Sequence, residues 1–556
     1  MMKPIKKRNI STLITLALSL GSAGVLASDY DLVIENGRVM DPETMLDAVL
    51  NVGIKDGRIV IITADSLKGD NVIDAKNHVV APGFIDTHFH SLDGLSIKLA
   101  ALDGVTTGMD LEIGATRVAE WYDAKKDAWP LNYGTGISQE AARLEVLDPE
   151  VKIDRAYDAP DILGRLRAEA AKDGVSGWSD VKANPEQMTQ ILSILDQGFK
   201  EGAINLASTT AYMKNGLTSF EMYESQKVAA NWGRFTASHT RYHGNPVDPE
   251  GQLGFDEVFA NAVALKAGLL MLHNNEFGWW EVEDKLKRAR EQGMNMWSEY
   301  YPYDAASTAI GSSFLIPESI EGLFGYKYED IMYDPEGDKF LTKEEYQKLS
   351  VENPGHLVVI FSPPRKDWLK YFLQIPHMTV AADSIYSGLG VDSWGADPSE
   401  YKGHPRTAGT RGRVFTMARE EGVPLMFTLA QMAYWPAKHL GDAGLESMQE
   451  RGRMQQGMVA DITIFDPENV TDNATYKAGE QGAPTSGITY VIVNGQKVVD
   501  NGEFKKVWAG QPIRHTPEDK GRFKGLDKAS YLKNITVPTF STTQSGADGN
   551  PTYKQK

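Results

Sequence analysis

The chain has 556 residues, a formal net charge of −18 at pH 7 and no cysteine. That charge repels phosphate backbones and weighs against nucleic-acid binding, while the missing thiol excludes disulfides, thiolate nucleophiles and cysteine-ligated metal. With 42% hydrophobic residues the chain can fill a large core, and its length suits one large barrel with insertions plus a smaller domain.

The first 27 residues read as a secretory signal peptide. Lys3, Lys6, Lys7 and Arg8 form a basic start, Leu13 to Leu20 a short apolar run, and Val25-Leu26-Ala27 a small-residue cleavage site. The apolar run is well short of the ~20 residues a spanning helix needs, and no second long one follows. Cleavage after Ala27 removes four cations and takes the charge from −18 to −22. The expected product is an exported, periplasmic or secreted protein with no membrane span.

From Tyr30 the pattern is short alternating strands, with Asn36-Gly37 and Asp56-Gly57 as hairpin signals. Residues 28–82 are therefore expected to form an antiparallel β unit. The same character returns in VADITIFDP and TYVIVNGQKVVDNGEF, with turns at Asn494-Gly495 and Asn501-Gly502. Residues 441–510 are expected to complete one small β-sandwich from both ends of the chain.

Between them helical and strand-like pieces alternate: PEQMTQILSILDQGFKEG then AINLAS, SFEMYESQKVAANWG then RFTASH, DEVFANAVALKAG then LLMLH, VEDKLKRAREQG then MNMWSEYYPY. Repeated units of this size predict an α/β fold with a parallel sheet closed into a (β/α)8 TIM-type barrel over 83–440, with functional residues at the carboxyl ends of its strands. The rhythm breaks over about 304–374, read as an insertion over the barrel mouth. Residues 511–556 form a polar C-terminal tail, expected to be disordered in its last part.

The chemistry starts at APGFIDTHFH. Residues two apart on a strand share a face, so His88 and His90 project together. An HxH alone is weak, but the next strand ends in Asp110 and Glu112, and a carboxylate buried there must be paired or coordinated. Glu112 is the better placed to bridge two ions, and Asp110 reads as structural. His239 after RFTAS and His273 after GLLML stand at further strand ends, and Asp383 ends the run in HMTVAADSIYSG. His88, His90, Glu112, His239, His273 and Asp383 thus predict a centre for one or two divalent ions, zinc above all. Asp383 can also orient water and carry its proton.

In this order the residues resemble the amidohydrolase superfamily, and more specifically its D-aminoacylase branch, the N-acyl-D-amino-acid deacylases. The resemblance runs from Tyr30 to Phe504 and includes DLVIENGRVMDPE, TASHTRYH, LMLHNNEFG, EYYPYDAAST, GHPRTAGTRGRVF and GMVADITIFDPENVTDNATY. It implies an amidohydrolase barrel in which His88 and His90 match the first-strand ligands, His239 and His273 those of the fifth and sixth strands, and Asp383 the general acid/base after the eighth. The sequence departs from the better-known members twice. Their bridging cysteine is replaced by Glu112, and a lysine that holds the substrate carboxylate is replaced by Asn275.

The expected activity is metal-dependent hydrolysis of a linear amide bond, most directly deacylation of a small N-acyl-D-amino acid to a carboxylate and a free amino acid. Arg406 is the first choice for the substrate carboxylate, because guanidinium meets carboxylate bidentately. Arg241 is the second, with Tyr301 or Tyr303 as hydroxyl donors. The rival readings are a cyclic-amide hydrolase of the dihydroorotase or hydantoinase kind, which usually bridges with a carbamylated lysine absent here, and a catalytically silent exported binding protein on the same scaffold.

Overall fold

The structure is a computed structural model that describes residues 29–172, 174–242, 250–312, 314–323, 325–527 and 529, and two short strands at 540–545 and 551–555. The expected signal peptide lies outside the described residues. Among the described residues no helix is long and apolar enough to cross a membrane.

Eight parallel strands make the barrel: β1 (Phe84–Asp86), β2 (Val105–Ala115), β3 (Asn132–Ser138), β4 (Leu206–Ser208), β5 (Thr236–Ser238), β6 (Leu269–Met271), β7 (Met296–Tyr300) and β8 (Met378–Val380). Each pairs with the next in sequence, as right-handed β-helix-β units require. No continuous ladder joins β1 to β8. The seam closes just beyond their carboxyl ends, where Phe89 bridges Ser384. There His90 N–H donates to the Ser384 carbonyl at 3.1 Å, Ser384 N–H to that of His88 at 3.3 Å, and Ala382 N–H to Asp86 Oδ1 at 3.1 Å.

The barrel interior is packed rather than hollow. Ile85, Met109, Leu111, Leu270 and Trp297 form one buried cluster with Leu440 and Met448 from the helices after β8 and with Ile513 from the C-terminal segment. Ile513 arrives on a strap that crosses the amino-terminal end of the barrel. Its N–H donates to the Tyr133 carbonyl at 2.7 Å and its carbonyl accepts from Tyr122 Oη at 2.7 Å. His515 N–H continues the strap onto Gly202. Burying one such side chain stabilises by about 1.5–3 kcal/mol, so the start of the tail belongs to the core.

Both chain ends meet in a nine-stranded sheet, ordered 503–504, 496–500, 488–493, 462–465, 79–82, 30–41, 46–55 and 58–63, with 69–74 also paired to 30–41. Strand 79–82 joins the two halves, parallel to 30–41 and antiparallel to 462–465. The sheet is mixed, because 69–74 also runs parallel to 30–41, where a purely antiparallel unit is expected from the hairpin signals. Asp56-Gly57, Asn494-Gly495 and Asn501-Gly502 do turn the chain between strands. Asn36-Gly37 instead sits inside strand 30–41 at a register shift, with Asn36 at φ 61°. Hairpin turns and bulges demand the same left-handed residue, and a Cβ at Gly37 would lie 2.3 Å from the Val80 side chain.

Between β7 and β8 the stretch read as an insertion folds as a unit of its own. Strands 305–309, 357–361, 332–334 and 339–340 form a four-stranded antiparallel sheet, backed by Ile310, Leu315, Ile331, Met332 and Val358. The helix Arg365–Phe372 then leads back to β8.

Candidate metal centre

The carboxyl ends of β1, β2, β5, β6 and β8 converge on Glu112. Its Oε2 lies 2.8 Å from His88 Nε2 and 3.0 Å from His90 Nε2. Its Oε1 lies 2.8 Å from His239 Nδ1 and 3.5 Å from His273 Nε2. Asp383 Oδ1 completes the first group, 3.3 Å from His88 Nε2 and 3.7 Å from His90 Nε2. Two sets of donor atoms result, His88, His90, Glu112 and Asp383 on one side and Glu112, His239 and His273 on the other, each set lying within 4.8 Å.

The chain spends backbone geometry to aim these groups. Asp383 has φ 48° and His273 φ 30°, left-handed conformations that residues with a side chain adopt at a cost and that collect at functional sites. Glu112 is presented by a turn that Asp110 holds: Asp110 Oδ1 accepts from the N–H groups of Glu112, Ile113 and Gly114 at 3.2, 2.9 and 3.1 Å. Gly114 has φ 70°, and a Cβ there would meet the Gly136 carbonyl at 2.7 Å. Asp110 also holds His90 Nδ1 at 3.0 Å with its other oxygen, so its structural reading includes orienting a histidine.

Outer carboxylates fix the ring tautomers. Glu299, at the end of β7, takes His88 Nδ1 at 2.6 Å and the Thr87 hydroxyl at 2.6 Å. With the Nδ1 protons of His88 and His90 given outward, both Nε2 lone pairs face Glu112 Oε2. That is a meeting of acceptors, relieved either by a second proton on each ring or by a cation between them. Carboxylate-oriented histidines of this kind are the usual second layer of a metal site, and the donor set of imidazoles and carboxylates suits a borderline divalent ion.

The local field points the same way. Burial disfavours charge on His88, yet Asp383, Glu112 and Glu299 outweigh it and hold its imidazole well above the ordinary value. His90, equally buried, is raised to about 9 by Asp110 and Glu112. Burial pushes Glu112 up, but His88, His239 and His273 bring it well below the ordinary carboxylate range. His273 is lowered to about 4 by burial and by neighbouring His239. The site draws positive charge to one half and keeps the other ready as a neutral ligand.

A cavity of about 1050 Å³, counted with its open mouth, reaches the centre, and Glu112, His239, His273 and Asp383 lie in its wall. The insertion supplies an apolar side that includes Phe314, Leu315, Ile360 and Phe361. The residues expected to hold substrate are placed differently. Tyr301 lines the cavity. Arg406 is fully buried, outside the lining, with Nη1 2.8 Å from Asp383 Oδ2. Arg241 pairs with Glu257 at 2.6 Å, and the Tyr303 hydroxyl donates to Asp472 at 2.9 Å. Asn275 is fully buried with its side-chain amide spent on the backbone of Tyr301. Three groups went unnoticed in the sequence. Glu299 ends β7 and was open to the same strand-end reasoning as Glu112; Glu276 and Arg365 line the cavity and carry no local signal.

No family model matches the chain. The N-acyl-D-glutamate deacylase of Alcaligenes xylosoxydans xylosoxydans is 27% identical over 496 residues, 84% of this chain and 93% of that one. The D-aminoacylase of the same organism is 24% identical over 514 residues, 88% and 98% of the two chains. By contrast, the dihydroorotase of Streptococcus pneumoniae matches over 60 residues, 11% of this chain. Over most of its length the chain is similar to members of the D-aminoacylase branch of the amidohydrolases. Among solved structures, the N-acyl-D-glutamate deacylase of Bordetella bronchiseptica, complexed with zinc and a phosphonate inhibitor, superposes with a TM-score of 0.67 at 22% identity, covering 87% of this chain and 99% of that one. The fold is thus shared over 87% of this chain, while the sequence match to the dihydroorotase is confined to 11% of it.

Proposed function

We propose that this amidohydrolase removes the acyl group from a small N-acyl-D-amino acid, releasing a carboxylate and a free amino acid. The observation that carries the reading is Glu112, which turns one oxygen to His88, His90 and Asp383 and the other to His239 and His273. One or two divalent ions, zinc first, would be held by those six residues and would supply Lewis acidity to the scissile carbonyl and to the attacking water.

The chain's own groups handle the proton. Asp383 Oδ2 is fixed by Arg406, which leaves Oδ1 directed at the centre. There Oδ1 takes a proton from water as the water oxygen adds to the carbonyl carbon, and gives it to the amide nitrogen as the C–N bond breaks. The apolar wall supplied by the insertion flanks the place of that transfer. Tyr301 offers its hydroxyl within the same cavity.

Similarity over 81–88% of the chain to an N-acyl-D-glutamate deacylase, a D-aminoacylase and an N-acyl-D-aspartate deacylase supports linear amides over cyclic ones, and the cluster of all six expected groups argues against a silent binding protein. The test is amine release from a panel of N-acyl-D- and N-acyl-L-amino acids by zinc-loaded protein, with metal counted by elemental analysis. No release from any member would refute the reading. We further propose export: the basic start, apolar run and Val25-Leu26-Ala27 support cleavage after Ala27, which amino-terminal sequencing of the protein from a periplasmic extract would check.

A further inference from the structure

An N-acyl amino acid carries a free carboxylate, and a carboxylate taken into a largely apolar cavity must meet a cation. Arg406 lies outside the cavity wall, with its Nη1 2.8 Å from Asp383 Oδ2. Among the described residues that line the cavity, Arg365 is the one arginine or lysine. The insertion delivers it at the start of the helix Arg365–Phe372, and its side chain is 1% exposed.

The three nitrogens of Arg365 are used unequally. Nη1 donates to the Tyr301 hydroxyl at 2.8 Å, Nη2 donates to the Glu276 carboxylate, and Nε is buried without a hydrogen-bond partner. Nε and Nη2 form one edge of the guanidinium, the edge that grips a carboxylate with two parallel bonds. Here that edge holds Glu276 by a single nitrogen. The Glu276 side chain is 19% exposed and so can turn toward solvent, whereas Arg365 is walled in.

We propose that Arg365 is the specificity-determining cation of the cavity: the substrate's carboxylate takes its Nε–Nη2 edge and displaces Glu276. Glu276 is then the internal counter-ion that keeps a buried guanidinium from standing unpaired in the empty site. Tyr301 stays on Nη1 throughout and fixes the plane of the fork, its ring centroid 5.2 Å from the Arg365 guanidinium and 4.8 Å from that of Arg406. The inference rests on the deacylase reading and names the group that would recognise the substrate.

The experiment compares the N-acyl amino acid turned over best in the panel with its carboxamide, in which the negative charge is gone. Wild-type protein is expected to prefer the acid. Arg365→Met should lower kcat/KM for the acid by about 100-fold, mainly through KM, in line with a lost charge-assisted pair. It should change the carboxamide far less and leave metal content as in wild type. Arg365→Lys should recover part of the loss. Glu276→Gln removes the competing anion and should lower KM for the acid several-fold, with tighter binding of the acid to metal-stripped protein in calorimetry. An Arg365→Met variant that keeps the wild-type preference for acid over carboxamide overturns the inference and leaves the deacylase reading intact. If that variant does not fold, Glu276→Gln decides: an unchanged or raised KM for the acid overturns the inference. A wild-type protein that releases no amine from the panel removes the reading and the inference together.

Discussion

Glu299 provides the sharpest test of how the centre is built, because it touches no donor atom facing the cavity and acts only through His88. It is fully buried, takes His88 Nδ1 at 2.6 Å and has its second oxygen on the Thr87 hydroxyl at 2.6 Å. Glu299→Gln keeps the shape and can keep both hydrogen bonds, since a threonine hydroxyl can accept as well as donate. What it removes is the negative charge behind His88, hence ring basicity and the bias toward an Nδ1 proton. Loss of such an outer carboxylate typically weakens metal binding by about 10–100-fold, equivalent to about 1.4–2.7 kcal/mol. Competition between protein and a chromophoric chelator at fixed pH measures this directly, and elemental analysis at saturating zinc shows whether full loading is still reached. A Glu299→Gln protein whose zinc affinity stays within twofold of wild type would refute the claim that the outer carboxylate tunes the site.

Asp383→Asn should leave the fold and the metal content largely intact while kcat falls by at least about 100-fold, read by amine release from metal-loaded protein. Glu112→Ala should bind less metal than wild type by elemental analysis, and two ions held at full occupancy would place the bridge elsewhere. Ile513→Ala should destabilise by about 2–5 kcal/mol by opening a void at the base of the barrel, seen as an earlier thermal transition with little change in turnover below it. In the insertion, His356 Nε2 meets Asp334 at 2.9 Å, and this contact raises His356 above its ordinary 6.5. A histidine raised in the folded state stabilises fully below its unfolded value and loses that contribution as pH climbs past the folded one. Asp334 is lowered despite burial, chiefly by the His356 hydrogen bond, so its contribution is present above its ordinary 3.8 and lost only in acid. Hydrogen exchange of strands 332–334 and 357–361, corrected for intrinsic rate, should therefore quicken from pH 6 to pH 8, and His356→Gln should flatten that rise.

The parts legible in the sequence were those with a repeating physical signature. Helix-then-strand alternation announced the barrel, and hydrophobic runs ending in His or a carboxylate announced the side chains that cluster around Glu112, because a buried strand end tolerates such a group only with a partner. What escaped depends on contacts across the sequence. Arg406 was expected to hold the substrate carboxylate because guanidinium meets carboxylate bidentately; only the fold reveals its ion pair with Asp383. Arg365 lies in the insertion, whose strands are too short and irregular to show a period, and nothing local to it marks the cavity wall. Asn36-Gly37 misled for a different reason, since a bulge and a turn ask the same of the backbone.

The two-ended sheet also sets a timetable for the chain. Strand 79–82 finds its antiparallel neighbour only at 462–465, Arg58 reaches Glu450 across 392 residues, and the barrel floor waits for Ile513. Contacts so distant in sequence are slow to close, and a chain emerging from its amino terminus has the first-strand histidines long before it has the partners that bury them. The two-ended sheet and the barrel floor are thus complete only when the chain through Ile513 has been made. The cluster of His88, His90, Glu112, His239, His273 and Asp383 likewise draws on chain from 88 to 383, so its members can meet only once that last segment is in place.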